Sequence, residues 1–166
     1  MLVRRFGNPA VSVPLVCRIA FEEVIFMAVH EKSVVVNAPA HKVFMMWSNF
    51  ENFPNYMSHV KEVKMLDGDR SHWKGTVAGI DEEWDAKTTK MDEDRAIAWD
   101  SISGFENSGE VRFDPVDGGT RVTVRFEYTP PAGPLGWAAE EIYVGSEFEQ
   151  DLQEDLEKFK AMVESA

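Results

Sequence analysis

From residue 60 to residue 129 the chain reads as one strand after another, each alternating between the same two kinds of side chain. Val122, Val124, Phe126 and Tyr128 fall on one side of the last run, and Arg121, Thr123, Arg125 and Glu127 on the other. Successive side chains of an extended chain point in opposite directions, so such a run has one apolar and one charged face. Val111 and Phe113 repeat the pattern against Glu110, Arg112 and Asp114. Further rows are Ile97, Trp99 and Ser101; Trp84, Ala86 and Thr88; and Trp73, Gly75, Val77 and Gly79. The spacing predicts strands over about 60–66, 71–79, 82–91, 96–102, 109–115 and 120–129, parted by "DGDR", "GIDE", "DEDR" and "DGGT". Short polar turns of this kind join antiparallel neighbours, which makes a meander. Its aromatic face needs a cover.

The C-terminus supplies one. Ile142, Gly145, Phe148, Leu152, Leu156, Phe159 and Val163 recur every three or four residues from about 136 to 164, with acidic, amide and lysine side chains between them. That is the pattern of a long helix with one apolar stripe. Ahead of the meander, "SVVVN" predicts a strand and Pro39 opens a short helix to about Trp47, with Val43, Phe44 and Trp47 on one side. "NFENFPNYM", residues 49–57, predicts a turn and a second short helix. A curved antiparallel sheet of about seven strands, wrapped around one long C-terminal helix with two short helices after the first strand, is an α+β design.

With 166 residues the chain suits one core. Its formal charge of −12 repels phosphate backbones, so nucleic acid is not an expected partner. Cys17 is the only cysteine, which excludes an internal disulfide framework and points to a reducing compartment, the cytoplasm. Residues 1–26 combine Arg4 and Arg5 with an apolar stretch broken by Asn8, Pro9, Ser12, Pro14 and Arg18. Neither a secretory h-region nor a membrane span survives those interruptions, so no integral membrane association is expected. The expected organisation is a loosely attached extension over 1–26, with Met27 a candidate native start, and one domain over 27–166.

"NAPAHKVFMMWSNFENFPNYM", "IAWDSISGFENSGEVRF", "GGTRVTVRFEYTPPAGPLG" and "DLEKFKAMVE", in that order, resemble the START-like, or polyketide cyclase/dehydrase and lipid-transport, superfamily. The branch most similar is a bacterial cyclase/dehydrase-like one related to coenzyme Q-binding proteins. The resemblance covers about residues 31–164 and implies a helix-grip fold in which the short helices close part of the space between sheet and long helix. "NFENFPNYM" is then a lid whose aromatic residues face the interior. Because one frame in this superfamily hosts binding modules, carriers and enzymes, the resemblance does not by itself choose among them.

The candidate ligand-binding residues are Phe53 and Tyr56 of the lid; Trp73, Trp84, Trp99, Ser101, Phe113, Phe126 and Tyr128 of the inner face; and Gly145 of the helix. Gly75, Gly79 and Gly145 remove side-chain volume from the apparent interior, which favours a cavity over a filled core. No catalytic residue is assigned. Ser101 lacks an evident base, and the carboxylates at 82–83 and 92–94 lie in turns on a solvated edge. His30, His41, His59 and His72 show no ligand spacing, so no metal is expected; His41 and His59 are expected in solvent. No cofactor is called for. The loops at 101–109 and 129–137, rich in glycine or proline, are candidate portals. The first functional expectation is binding of an apolar or amphipathic small molecule such as a lipid, isoprenoid quinone or polyketide-like aromatic. The alternatives are a cyclase/dehydrase-type enzyme using the same cavity and a protein-interaction module.

Overall fold

The computed structural model describes residues 27–77, 79–130 and 145–166, the side chains of Gly145 and Ser146 excepted. The proposed 1–26 extension, most of the 129–137 loop and the surroundings of Gly145 therefore lie outside the described residues.

Strand β1 runs from Ala28 to Val36, beginning earlier than "SVVVN" suggests because alternation already holds there. His30, Val34 and Val36 turn inward, while Val29 and Val35 face out. Helix α1, Ala40–Trp47, follows Pro39, whose φ of −62° suits the approach to a helix. It buries Val43, Phe44 and Trp47. The second short helix, Phe50–Asn55, is of the 3₁₀ type with Pro54 inside it. Its turns close through i→i+3 bonds, Asn52 N–H to the Asn49 carbonyl at 3.0 Å and Tyr56 N–H to the Phe53 carbonyl at 3.1 Å.

The meander comprises β2 (Val60–Met65), β3 (Arg70–Val77), β4 (Ile80–Asp92), β5 (Ala96–Gly104), β6 (Asn107–Val116) and β7 (Gly119–Tyr128). All neighbours pair antiparallel, and β1 joins beyond β7, giving the order β1-β7-β6-β5-β4-β3-β2. Register shifts in β2 at Val60/Glu62 and in the β4–β5 pairing at Asp85/Ala86 and Thr88/Lys90 bend the strands. Helix α2, described from Gly145 to Ser165, covers the inner face with Phe148, Leu152, Leu156, Phe159 and Val163, all buried. This is the α+β helix-grip arrangement expected from the sequence. Among the described residues no helix is long and apolar enough to cross a membrane.

Two glycines do something other than leave space. Gly79 sits at φ +76° and exposed, in the two-residue connection between Val77 and Ile80, so it serves the turn rather than the interior. A Cβ on Gly75 would lie 2.5 Å from the His59 carbonyl oxygen and 3.3 Å from the Trp84 ring. The place of its missing side chain is taken by backbone and indole, and Gly75 permits that approach.

The candidate cavity and its polar wall

The buried side chains form two clusters. One gathers α1, the 3₁₀ helix, α2 and the aliphatic half of the sheet; the other joins Ala28, Val77, Trp84, Ala86, Phe105 and Tyr128. Between sheet and helix lies a cavity of about 130 Å³, bordered by members of both. Its walls include two aromatic pairs. Trp73 and Trp84 stack at 6.0 Å with planes 11° apart, and Trp99 and Phe126 at 6.3 Å and 30°. Ala86, Ser71 and Thr88 contribute short side chains to the same wall, and Phe50, Phe53 and Met57 come from the lid side.

Of the residues singled out in the sequence, Phe53, Trp73, Trp84, Trp99 and Phe126 border this cavity. Four others sit off its wall. Phe113 is packed edge-on against Phe44 at 5.7 Å, in the aliphatic cluster. Tyr128, fully buried, lies among His30, Phe105, Phe126 and Phe148. Ser101 Oγ accepts the Asn107 backbone N–H at 3.0 Å and so ties β5 to β6. Tyr56 is buried against Trp47, Phe53 and Phe159, and its hydroxyl has no hydrogen-bond partner among the described residues. Burial pushes that phenol's pKa up, since its anion would sit in low dielectric.

The candidate portal at 101–109 is paired structure. Strand β5 pairs with β4 as far as Gly104 and β6 pairs with β7 from Asn107, with Phe105 and Glu106 between them and Phe105 buried against Trp84 and Tyr128. The β5–β6 ladder itself ends at Asp100 and Ser108, so the segment is held by β4 on one side, by β7 on the other and by the buried Phe105 ring.

The polar part of the wall was not legible from spacing. Asn107 is 3% exposed; its side-chain oxygen accepts Trp99 Nε1–H at 3.1 Å, and its amide donates to the Phe105 carbonyl at 3.0 Å. Ser71 Oγ accepts Trp73 Nε1–H at 2.7 Å. Asp155 is 2% exposed although it is a carboxylate. Its Oδ2 accepts the Ser58 backbone N–H at 2.7 Å and the Ser58 hydroxyl at 2.9 Å, and its Oδ1 accepts Lys158 Nζ at 2.9 Å. That carboxylate in turn holds the Lys158 ammonium above its ordinary range. A signal existed: Asp155 stands three residues after Leu152 and four before Phe159, inside the apolar stripe.

His59 is half-buried on the wall, not in free solvent. Its Nδ1 donates to the Thr76 carbonyl at 3.0 Å and its Nε2 faces Asp151 Oδ2 at 3.0 Å. The ring stacks on Phe148 at 5.3 Å. His41 is exposed, as expected, with Nδ1 3.0 Å from Asp94 Oδ1. Together with Glu93 these are, among the described residues, the one group with three possible ligand atoms within 4.8 Å. On the outer face Asp85 accepts from His72 Nδ1 at 2.7 Å and from the Ser103 hydroxyl at 3.1 Å, and the histidine contact first of all holds its carboxyl below the ordinary range.

The family model for polyketide cyclase / dehydrase and lipid transport matches residues 27–164. An uncharacterized 17.2 kDa protein of Streptomyces lincolnensis is 30% identical over 142 residues, covering 81% of this chain and 88% of that one. Among solved structures, a Deinococcus radiodurans protein superposes with a TM-score of 0.66 at 31% identity, over 82% of this chain and 98% of its own. The Zhui aromatase/cyclase of Streptomyces sp. R1128 has the same fold, with a TM-score of 0.68 at 22% identity over 84% and 94% of the two chains.

Proposed function

The chain belongs to the polyketide cyclase / dehydrase and lipid transport family, and from that premise we propose that it binds a small apolar or amphipathic molecule between sheet and helix. The observation that carries the reading is the cavity's wall. Trp73, Trp84, Trp99, Phe126, Phe50 and Phe53 offer carbon surface, while the indole N–H groups of Trp73 and Trp99 are already held by Ser71 and Asn107. A ligand therefore meets mainly apolar contact, with the Ser71 and Thr88 hydroxyls and the Asn107 amide placed to orient one polar substituent. Size sharpens the class. A cavity of about 130 Å³ compares with the roughly 150 Å³ of an engineered cavity that holds benzene. One aromatic ring, alone or as the head of an isoprenoid quinone or a polyketide-like chain, fits first. A bulkier molecule, whether a lipid or the three-ring probe N-phenyl-1-naphthylamine, is accommodated by movement of half-buried Trp73, Trp99 or Phe126.

A second reading, cyclase/dehydrase-type chemistry in the same cavity, is favoured by one observation: His59 and Asp155 both stand on the wall. Their polar atoms are engaged with Thr76, Asp151, Ser58 and Lys158, so binding remains the first reading.

The test fills the cavity. Ala86, buried on the wall, is replaced by leucine, and uptake of the neutral probe N-phenyl-1-naphthylamine is titrated by fluorescence beside the parent protein. The Ala86→Leu variant is expected to fold and to bind at least about tenfold more weakly, a difference of about 1.4 kcal/mol. Undiminished uptake by a folded variant places the ligand elsewhere and ends the proposal.

A further inference from the structure

Helix α2 is held unequally by the two margins of the sheet that grips it. On the β1 margin, polar contacts extend along its length. Glu149 takes Lys32 Nζ at 2.8 Å and His30 Nδ1 at 3.4 Å, and the Ser33 carbonyl accepts Gln153 Nε2 at 3.4 Å. Glu164 accepts the Asn37 N–H at 2.7 Å, and Lys42 Nζ reaches the Ala166 carbonyl at 2.8 Å. On the β2 margin the described polar contacts are Asn52 Nδ2 to Met162 Sδ at 3.6 Å and a pair at adjacent residues, Ser58 on Asp155 and His59 on Asp151. Ser58 and His59 join the 3₁₀ helix to β2, so they end the lid; Asp151 and Asp155 are four residues apart on α2 and share a face.

The two arms of this pair differ in strength. Asp155 is almost wholly withdrawn from water and takes two donors from Ser58, which makes charge-assisted bonds hard to exchange for solvent. Asp151 and His59 are 43% and 30% exposed at their side chains, and exposed ion pairs hold weakly. Position matters as much. Toward the C-terminal end, Phe159 packs on Trp47 at 4.9 Å and on Tyr56 at 5.2 Å, which fixes the lid there. Toward the N-terminal end, His59 and Phe126 both stack on Phe148, and all three rings border the cavity.

We propose that Ser58–Asp155 and His59–Asp151 form a clasp that controls entry to the cavity, with Ser58–Asp155 as the fixed arm and His59–Asp151 as the arm that opens. Release of the weak arm leaves the His59 ring held to the helix by its stack on Phe148 alone and lets the lid part from α2 there, while the strong arm and the rings on Phe159 keep the rest of the lid in place. Asp151 does not itself border the cavity, so it acts on the rate of access through His59 and not on the bound molecule. The proposal rests on the reading of the cavity as a binding site.

Stopped-flow mixing of the full chain with N-phenyl-1-naphthylamine tests it, in the parent, in Asp151→Ala and in Glu149→Ala, which removes a contact of the opposite margin. Asp151 is half-exposed on a helix surface, so the variant is expected to fold, and its thermal midpoint is the check. The expected result is that Asp151→Ala speeds association and dissociation together, by up to about fivefold, with the dissociation constant unchanged, while Glu149→Ala keeps parental rates. Hydrogen exchange of the Thr76 amide, which donates to the His59 carbonyl at 2.8 Å, is expected to quicken in the same variant without ligand. Parental rates and parental exchange in Asp151→Ala overturn the clasp while leaving the cavity reading intact. So does a change in dissociation alone, because it makes Asp151 a contributor to affinity. Failure of the parent protein to take up the probe is the separate outcome that overturns the cavity reading, and the clasp as a gate with it.

Discussion

Val36, Val43, Val111, Val122, Leu156, Phe159 and Val163 are wholly withdrawn from water, whereas Trp73, Trp99 and Phe126, on the same sheet face and under the same helix, are only half-buried around a void. The first group is aliphatic apart from Phe159. Branched side chains interdigitate readily across a sheet and helix, and close packing of that kind leaves no room. The second group is built from flat rings that touch each other in pairs, 6.0 Å apart for Trp73 and Trp84, and stand beside short side chains at Ala86 and Ser71. Flat faces meeting short neighbours do not close the gap. One alternation of polar and apolar residues thus yields a filled region, which seats rings such as Phe113 and Trp47 among its branched side chains, and a hollow one where rings stand beside short side chains.

Truncation at the two regions tests that difference with the largest effect. Phe159→Ala removes a ring that meets Trp47 and Tyr56 and is expected to cost about 3–5 kcal/mol. Phe126→Ala, beside an existing void and half-exposed, is expected to cost roughly half as much, because less packing is lost. Urea denaturation midpoints compare the two. Equal losses would show that the cavity wall is as tightly supported as the filled core.

A smaller effect is expected from the glycine opposite Trp99. A Cβ on Gly109 would lie 2.4 Å from Trp99 Cζ2 and 2.6 Å from the Arg125 carbonyl oxygen. The indole borders the cavity and can shift; the carbonyl belongs to the β6–β7 ladder and cannot. Gly109→Ala should therefore cost about 1–3 kcal/mol and alter Trp99 fluorescence, while Gly68→Ala, with nothing within 4 Å of its new atom, should be near neutral. A neutral Gly109→Ala would mean that the wall yields more than its packing implies.

Alternation and spacing were enough to place the strands, the inner face and the covering helix, because those follow from periodicity alone. The inward rows of Trp73, Trp84, Trp99 and Phe126 follow from it too. What spacing could not reach was contact between residues distant in sequence. Gly75 reads in the sequence as missing volume, whereas the His59 carbonyl lies against it. His59 looked exposed because its partners, Thr76 and Asp151, lie 17 and 92 residues away. The 101–109 segment reads as a hinge from its glycine and serine content, although its first half pairs with β4 and its second with β7, strands distant in sequence. Asp155 was the recoverable omission, a carboxylate flanked at helical spacing by Leu152 and Phe159.

The smallest expected effect sharpens the boundary between the two regions at Tyr56. As an aromatic residue of the lid it is expected to line a ligand site, yet it packs in the filled cluster against Phe159, 5.2 Å away, and its hydroxyl is buried without a partner among the described residues. An unpaired buried hydroxyl loses its bonds to water and gains nothing in return, a cost of about 1–3 kcal/mol. Tyr56→Phe removes the hydroxyl and keeps the ring, so its expected result is a gain of up to about 1 kcal/mol, seen as a thermal midpoint raised by about 2–4 °C. Uptake of N-phenyl-1-naphthylamine should not change, since Tyr56 does not border the cavity. The two readouts separate the possibilities. A lowered midpoint would mean that a water molecule bridges the hydroxyl to the core and is lost with it. Weakened uptake at an unchanged midpoint would carry the cavity past Phe53 to the phenol, and the division between filled and hollow regions would have to be redrawn at the 3₁₀ helix.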